Sequence, residues 1–135
     1  MTEVVVICGG PAGLSAALFT AKNGLETTVF DTDSTWMHKA HLFNYPGIGS
    51  VDGSNLLDTM REQVDDFGVD RNQGVKVTDV AATDDGFEVT TEEDSHDASY
   101  VVLATGANRD LAEGLECAFT DEEIVDVDVT METSV

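Results

Sequence analysis

The chain begins with apolar and polar blocks that spell out alternating elements. Val4-Val5-Val6-Ile7 is apolar at every position and mostly β-branched, the pattern of a strand covered on both faces in a parallel sheet. A glycine-rich turn follows, Cys8-Gly9-Gly10-Pro11-Ala12-Gly13. Next comes a helical stretch, Leu14-Ser15-Ala16-Ala17-Leu18-Phe19-Thr20-Ala21, stopped by Asn23-Gly24. Thr27-Thr28-Val29-Phe30 is a second strand that runs into Asp31. Beyond a polar stretch and Trp36-Met37-His38-Lys39-Ala40-His41-Leu42-Phe43, the run Asn44-Tyr45-Pro46-Gly47-Ile48-Gly49 predicts a rigid turn. Ser54 is placed to N-cap a helix that buries Leu56, Leu57, Met60, Val64 and Phe67 and ends at Gly68.

The second half reads as strands. Val75-Lys76-Val77 is a short one, and residues 80–83, 86–91 and 98–103 are further ones, separated by turns at Asp84-Asp85-Gly86 and residues 92–97. Phe87-Glu88-Val89-Thr90 alternates as a half-exposed antiparallel meander does. Tyr100-Val101-Val102-Leu103 reads as a central strand. It leads into Ala104-Thr105-Gly106-Ala107, small residues that leave room for a ligand at the strand's carboxyl end. After Arg109 the chain is acidic and weakly patterned, with Ile124-Val125-Asp126-Val127-Asp128-Val129 alternating like an edge strand. The expected fold class is α/β: a three-layer Rossmann-like domain with a small antiparallel β-meander.

Strand, glycine turn, helix, strand and acid form a dinucleotide-binding βαβ layout. Gly10 lets the backbone approach a pyrophosphate, Gly13 lets the helix pack against the strand, and the helix N-terminus offers unpaired N–H groups and a positive dipole end. Asp31 stands where a carboxylate accepts a hydrogen bond from a ribose hydroxyl. One position departs from the G-x-G-x-x-G fingerprint: Cys8 occupies the place of its first glycine.

Charge narrows the function further. With 27 acids against 6 bases the formal charge is −21, which excludes an electrostatic nucleic-acid binder and disfavours an anionic membrane surface. The acids are spread along the whole chain, so an acid-coated, halophilic surface suited to a salt-rich cytosol is preferred over an acidic face made for one basic partner. Met1-Thr2-Glu3 leads directly into the first strand without the look of a signal peptide, and no apolar run is long enough to cross a membrane. A cytoplasmic location is expected. The length of 135 residues suits a single domain.

Three motifs occur in order: Cys8-Gly9-Gly10-Pro11-Ala12-Gly13-Leu14-Ser15-Ala16-Ala17, Asn44-Tyr45-Pro46-Gly47, and Val101-Val102-Leu103-Ala104-Thr105-Gly106-Ala107. Together they resemble the FAD-binding domain of the thioredoxin-reductase-like pyridine nucleotide–disulfide oxidoreductases. Met60-Arg61-Glu62-Gln63 within its helix resembles that family too. The likeness covers most of residues 4–109 as a main body. Residues 110–135 resemble the segment by which the family's chain returns to the FAD domain, shortened before its terminal P-G-x-[FY]-A-x-G-D motif.

The resemblance implies FAD as cofactor, with NAD(P)H as electron donor. It places Gly10, Pro11, Ala12 and Gly13 at the pyrophosphate and Asp31 at the adenosine ribose. It places Lys39, Ala40, His41 and Asn44 along the flavin and ribityl side, Val77 at the adenine through its backbone, and Ala104, Thr105 and Gly106 in the pocket wall. No catalytic side chain is assigned. The family's NADPH domain and redox CxxC are not present in this sequence, so a redox partner protein or a second subunit of a homodimer is expected to complete any reaction. The alternatives are a non-catalytic or truncated nucleotide-binding module, and NAD(P) rather than FAD in the Gly10–Gly13 site.

Other chemistry-bearing residues read more plainly. His38 and His41 lack a third and fourth ligand, so no metal is expected. Cys8 reads as a small space-filler, with a reactive thiol at the helix N-terminus as the alternative. Cys117 lies in a segment expected to be exposed. Trp36 is a candidate for stacking on a flavin or for covering its loop, the acid runs read as turn and surface charge, and no Ser/His/Asp set stands out.

Overall fold

The computed structural model describes residues 2–135. In chain order its elements are β1 (Thr2–Ile7), α1 (Pro11–Lys22), β2 (Thr27–Asp31), a 3-10 turn (Trp36–Lys39), β3 (His41–Leu42), β4 (Val51–Asp52), α2 (Gly53–Asp66), β5 (Asp70–Gln73), β6 (Val77–Thr83), β7 (Gly86–Thr91), β8 (Ser95–Leu103) and α3 (Asp110–Gly114). Six strands make one sheet in the order β5-β2-β1-β8-β7-β6, and β3 and β4 make a separate two-stranded one. β1, β2, β5 and β8 run parallel, while β8, β7 and β6 form an antiparallel meander that continues the same sheet.

The uninterrupted apolar run in β1 serves two cores. Val4 and Val6 face α1 and α2, where they pack with Leu14, Ala17, Leu57 and Val64. Val5 and Ile7 face the other way, into a core with Phe30, Val77, Val80 and Val89 that Leu111 and Leu115 join. Side chains that alternate along a strand cannot be polar on either face when both faces are covered, which is why the run has no polar break.

Parallel neighbours bring their carboxyl ends to one edge. Ile7 pairs with Phe30 on one side and Leu103 on the other. The chain leaving each strand is stitched across this edge: Cys8 N–H donates to the Phe30 carbonyl at 2.8 Å and Ala104 N–H to the Ile7 carbonyl at 3.0 Å. The 8–13 turn, Asp31 and residues 104–106 therefore share one edge, where ligands of open α/β sheets bind.

Several sequence expectations are corrected. The helix α2 starts at Gly53, with Asp52 rather than Ser54 at the cap position and no side-chain cap bond. The Asp52 carboxylate is taken by His41 and the Ser54 hydroxyl by His38. Gly53 is needed there because a Cβ would overlap the Met37 carbonyl. Phe67, expected on the buried side, closes the helix at its C-cap and is 48% exposed. The strand expected at Val75-Lys76-Val77 contributes only Val77, the first residue of β6. A polar strand, β5, pairs instead with β2 through backbone bonds that need no apolar pattern. Residues 124–129 form no strand beyond a single Phe119–Val125 bridge. The Asp128 carboxylate folds the chain back by accepting from the Thr130 and Glu132 N–H groups. Cys117 is buried, at 6% exposure.

Candidate functional site

The turn after β1 delivers the chain into α1 with Gly10 at the cap position, Pro11 as the first helical residue and no side-chain cap. Proline has no N–H to lose there, and the amides of Ala12 and Gly13 in the first helical turn have no acceptor within the helix. A ligand phosphate can take them. Gly13 is required by packing, because a Cβ would overlap the Cys8 carbonyl. At Gly10 a Cβ would stand 3.3 Å from Thr35 Oγ1, so bulk here fills the gap between the turn and Thr35.

Cys8 keeps the backbone shape of the glycine it replaces. Its φ is +80°, in the left-handed region that side chains other than glycine's rarely adopt. Its thiol pKa is raised, first by burial and then by the nearby Asp31 charge. Burial and the Asp31 charge both disfavour the thiolate, in keeping with the space-filling reading.

Asp31 is buried at the end of β2 and lies over Gly9, where a Cβ would overlap its carboxylate. Its Oδ1 accepts from the Asp33 N–H at 2.8 Å, and its Oδ2 from Arg61 Nη2 at 3.4 Å. Arg61 Nη2 also donates to Asp33 Oδ1 at 2.6 Å. His38 Nε2 meets the same Asp33 oxygen at 2.6 Å, and Gln73 Nε2 donates to Asp33 Oδ2 at 3.1 Å. The Asp33 carboxyl is held below its ordinary range, first by the His38 hydrogen bond and then by Arg61. One carboxylate thus ties together the end of β2, the 3-10 turn, α2 and β5.

The other expected site residues fall into three places. Lys39, Ala40, His41 and Asn44 are all exposed, on the stretch that runs from the end of the 3-10 turn through β3 into the loop before β4. His41 Nδ1 pairs with Asp52 Oδ1 at 2.6 Å, and its Nε2 with Ser50 Oγ at 2.7 Å. Val77 is buried in the second core beside Phe30 and Ile7. Ala104 and Thr105 are half-buried at the shared edge and Gly106 is exposed, lining an open depression of about 370 Å³ with Ala107, Arg109, Ile124 and Val125. The turn and Asp31 are therefore assembled together, whereas the 39–44 loop stands as a separate, open flank. Trp36 is 81% exposed, with the Lys39 ammonium 5.1 Å from its ring centre.

Sequence reading missed four things. Arg61 is buried, and the available signal was its spacing: it shares a helix face with Leu57 and Val64. Gly9 carries weight although the fingerprint leaves its position free, because Asp31 lies against it; no sequence signal marks that. Asp33 as a hub carried no signal beyond its place after Asp31. Two Ser–His–Asp arrangements, Ser50–His41–Asp52 and Ser54–His38–Asp33, are brought together by folding. The first stands in open solvent, with the His41 and Asp52 side chains 53% and 68% exposed, where water screens the pair and weakens any activation of the hydroxyl.

Residues 3–83 match the family model described as glucose inhibited division protein A. Alkyl hydroperoxide reductase F of Staphylococcus aureus is 32% identical over 108 residues, which make up 78% of this chain and 21% of that protein. Among solved structures, the atypical thioredoxin reductase TRi from Desulfovibrio vulgaris Hildenborough superimposes with a TM-score of 0.74 at 34% identity, covering 81% of this chain and 37% of that one. The thioredoxin reductase of Lactococcus lactis gives 0.75 at 32% identity, covering 80% and 36%. The chain spans about a fifth of the length of the first relative and about a third of each reductase.

Proposed function

The chain belongs to the glucose inhibited division protein A family, and we propose that it works as the cofactor-holding part of an NAD(P)H-linked oxidoreductase related to thioredoxin reductase. It is a thioredoxin-reductase-like FAD-binding domain, and FAD is its cofactor. The observation that carries the proposed role is the uncapped start of α1 behind the 8–13 turn, with a buried carboxylate, Asp31, held beside it. These residues fit the group. The amides of Ala12 and Gly13 suit a pyrophosphate, Gly10 keeps the approach open, and Asp31 suits a ribose hydroxyl.

When bound, FAD supplies two-electron hydride chemistry. The chain's own residues hold and orient it. Gly10, Pro11, Ala12 and Gly13 take the pyrophosphate, Asp31 the adenosine ribose, and the Val77 backbone the adenine edge. Ala104, Thr105 and Gly106 form the wall. Lys39, Ala40, His41 and Asn44 flank the flavin and ribityl chain. Residues 1–135 act as one FAD-binding unit, with 1–109 as its body and 110–135 as the return segment.

Cys8 and Cys117 are both free thiols. Cys117 is buried and the Cys8 pKa is raised, so neither is poised to pass electrons to a disulfide. Electrons leave through a redox partner or a second copy of the chain, in a salt-rich cytosol. Among the described residues no helix is long and apolar enough to cross a membrane.

The absorbance spectrum of the purified protein tests this reading. Flavin bands that bleach on adding NADPH support it, and Gly10→Val, which blocks the phosphate approach, removes them. Flavin bands that do not bleach point to a binding module without turnover. A colourless protein that resists reconstitution with FAD overturns the reading.

A further inference from the structure

Arg61 is a costly residue for the face of α2 it occupies. It sits between Leu57 and Val64, is only 9% exposed, and its Nε is buried with no hydrogen-bond partner. A buried, incompletely satisfied guanidinium is poor material for stability alone, since an apolar side chain of similar length packs as well without the desolvation cost. Its paired atoms point the other way, toward the site. Nη2 reaches Asp33 Oδ1 at 2.6 Å and Asp31 Oδ2 at 3.4 Å, and Nη1 lies 3.8 Å from Asp58 Oδ1.

We propose that Arg61 is the positioning residue of the adenosine-ribose site: it fixes the Asp31 carboxylate over Gly9 so that this carboxylate accepts a hydrogen bond from a free 2′-hydroxyl. The inference rests on the reading that Asp31 faces the adenosine ribose, and deepens it. Asp33 is the second handle. Its own backbone is left-handed, at φ +58°, and its carboxylate is gripped by Arg61, His38 and Gln73 at once. Its N–H holds Asp31 Oδ1, so Asp31 is set from both oxygens, by the Asp33 amide on one and by Arg61 on the other.

The same arrangement decides which nucleotide is refused. An arginine beside a ribose-binding acid serves a 2′-phosphate when its charge is free. Here one guanidinium faces three carboxylates, those of Asp31, Asp33 and Asp58, and His38 is itself tied to Asp33, so no positive charge is left free for a phosphate. A 2′-phosphorylated adenosine meets repulsion rather than a partner.

The test is the affinity of the full chain, freed of flavin, for ADP and for 2′-deoxy-ADP by calorimetry. The wild-type protein prefers ADP by about tenfold, the worth of one hydrogen bond to a charged group. In Arg61→Met the preference falls toward one while circular dichroism stays native, because Asp31 Oδ2 loses its partner and only the Asp33 amide remains on Oδ1. Arg61→Lys retains the charge and the fold, but its ammonium ends short of the place Nη2 occupies, so an intermediate preference of about threefold is expected.

An Arg61→Met protein that folds and keeps the full ADP preference overturns the inference. If that variant does not fold, an undiminished preference in Arg61→Lys overturns it. A wild-type protein that binds FAD but does not distinguish the two nucleotides overturns it as well. A wild-type protein that binds neither FAD nor ADP overturns the functional reading beneath it.

Discussion

Replacing Cys8 by glycine should stabilise this protein relative to replacing it by alanine. Cys8 is held at φ +80° from both sides: its N–H is bonded to the Phe30 carbonyl at 2.8 Å, and its carbonyl is wedged against Gly13. The backbone cannot relax without undoing the junction of β1 and α1, so the strain stays in the folded state. A left-handed residue with a Cβ costs about 1–2 kcal/mol. Glycine removes that cost but gives back about 0.5–1 kcal/mol through the greater freedom of the unfolded chain. Loss of the half-buried methyl relative to alanine gives back about 0.4 kcal/mol, half the worth of a buried methylene. At mid-range values the balance favours Cys8→Gly over Cys8→Ala by about 0.4 kcal/mol, reaching about 0.9 kcal/mol if the strain is at its upper end. For a chain of 135 residues that is about 1–3 °C in Tm. The comparison with alanine, not with the wild type, isolates the backbone, because both variants lose the thiol. Urea unfolding of both proteins in one fixed salt buffer measures the difference. An alanine variant as stable as the glycine variant refutes the argument, and with it the claim that Cys8 occupies a glycine's place under strain.

Gly9→Ala puts a methyl group into the Asp31 carboxylate, so FAD affinity should fall at least tenfold while the protein stays folded; unchanged flavin retention on gel filtration counts against the contact. The Asp33 carboxyl, faced by His38, Arg61, Gln73 and the neighbouring Asp31, has a depressed pKa in the folded state. Its stabilising effect is complete above the unfolded carboxylate value of about 4 and is lost as the pH falls through the lower folded value, so Asp33→Asn should flatten the drop in Tm below about pH 4. Parallel acid limbs for the two proteins contradict this. With a formal charge of −21, self-repulsion is screened by salt, and Tm should rise from low to molar KCl, where the Debye length shrinks to about 3 Å. A flat Tm across that range removes the case for a salt-adapted surface.

The elements that sequence reading located well are those whose reason is local. β1 shows itself because both its faces are covered, and α1 because a glycine turn precedes it and Asn23-Gly24 closes it. β7 carries the alternation of a strand between two neighbours. The elements it misplaced depend on partners elsewhere. β5 is polar and is a strand only because β2 offers an open edge. Residues 124–129 alternate like a strand but find only one bridge, because the Asp128 turn leads the chain away. Cys117 lies in the weakly patterned segment after Arg109, yet it is buried.

For the site the division is similar. The amino-acid sequence by itself determined the phosphate end, because a glycine-rich turn between a buried strand and a helix is a local arrangement of five or six successive residues, and it pointed to Asp31 as the acid ending the next strand. Only the tertiary structure decided how that acid is held. Asp31, Asp33, His38, Arg61 and Gln73 come from four separate elements, and a carboxylate gripped by residues so far apart in the chain leaves no periodic trace. The same holds for Gly9, whose lack of a side chain matters only because β2, lying parallel to β1, brings Asp31 to the same edge of the sheet.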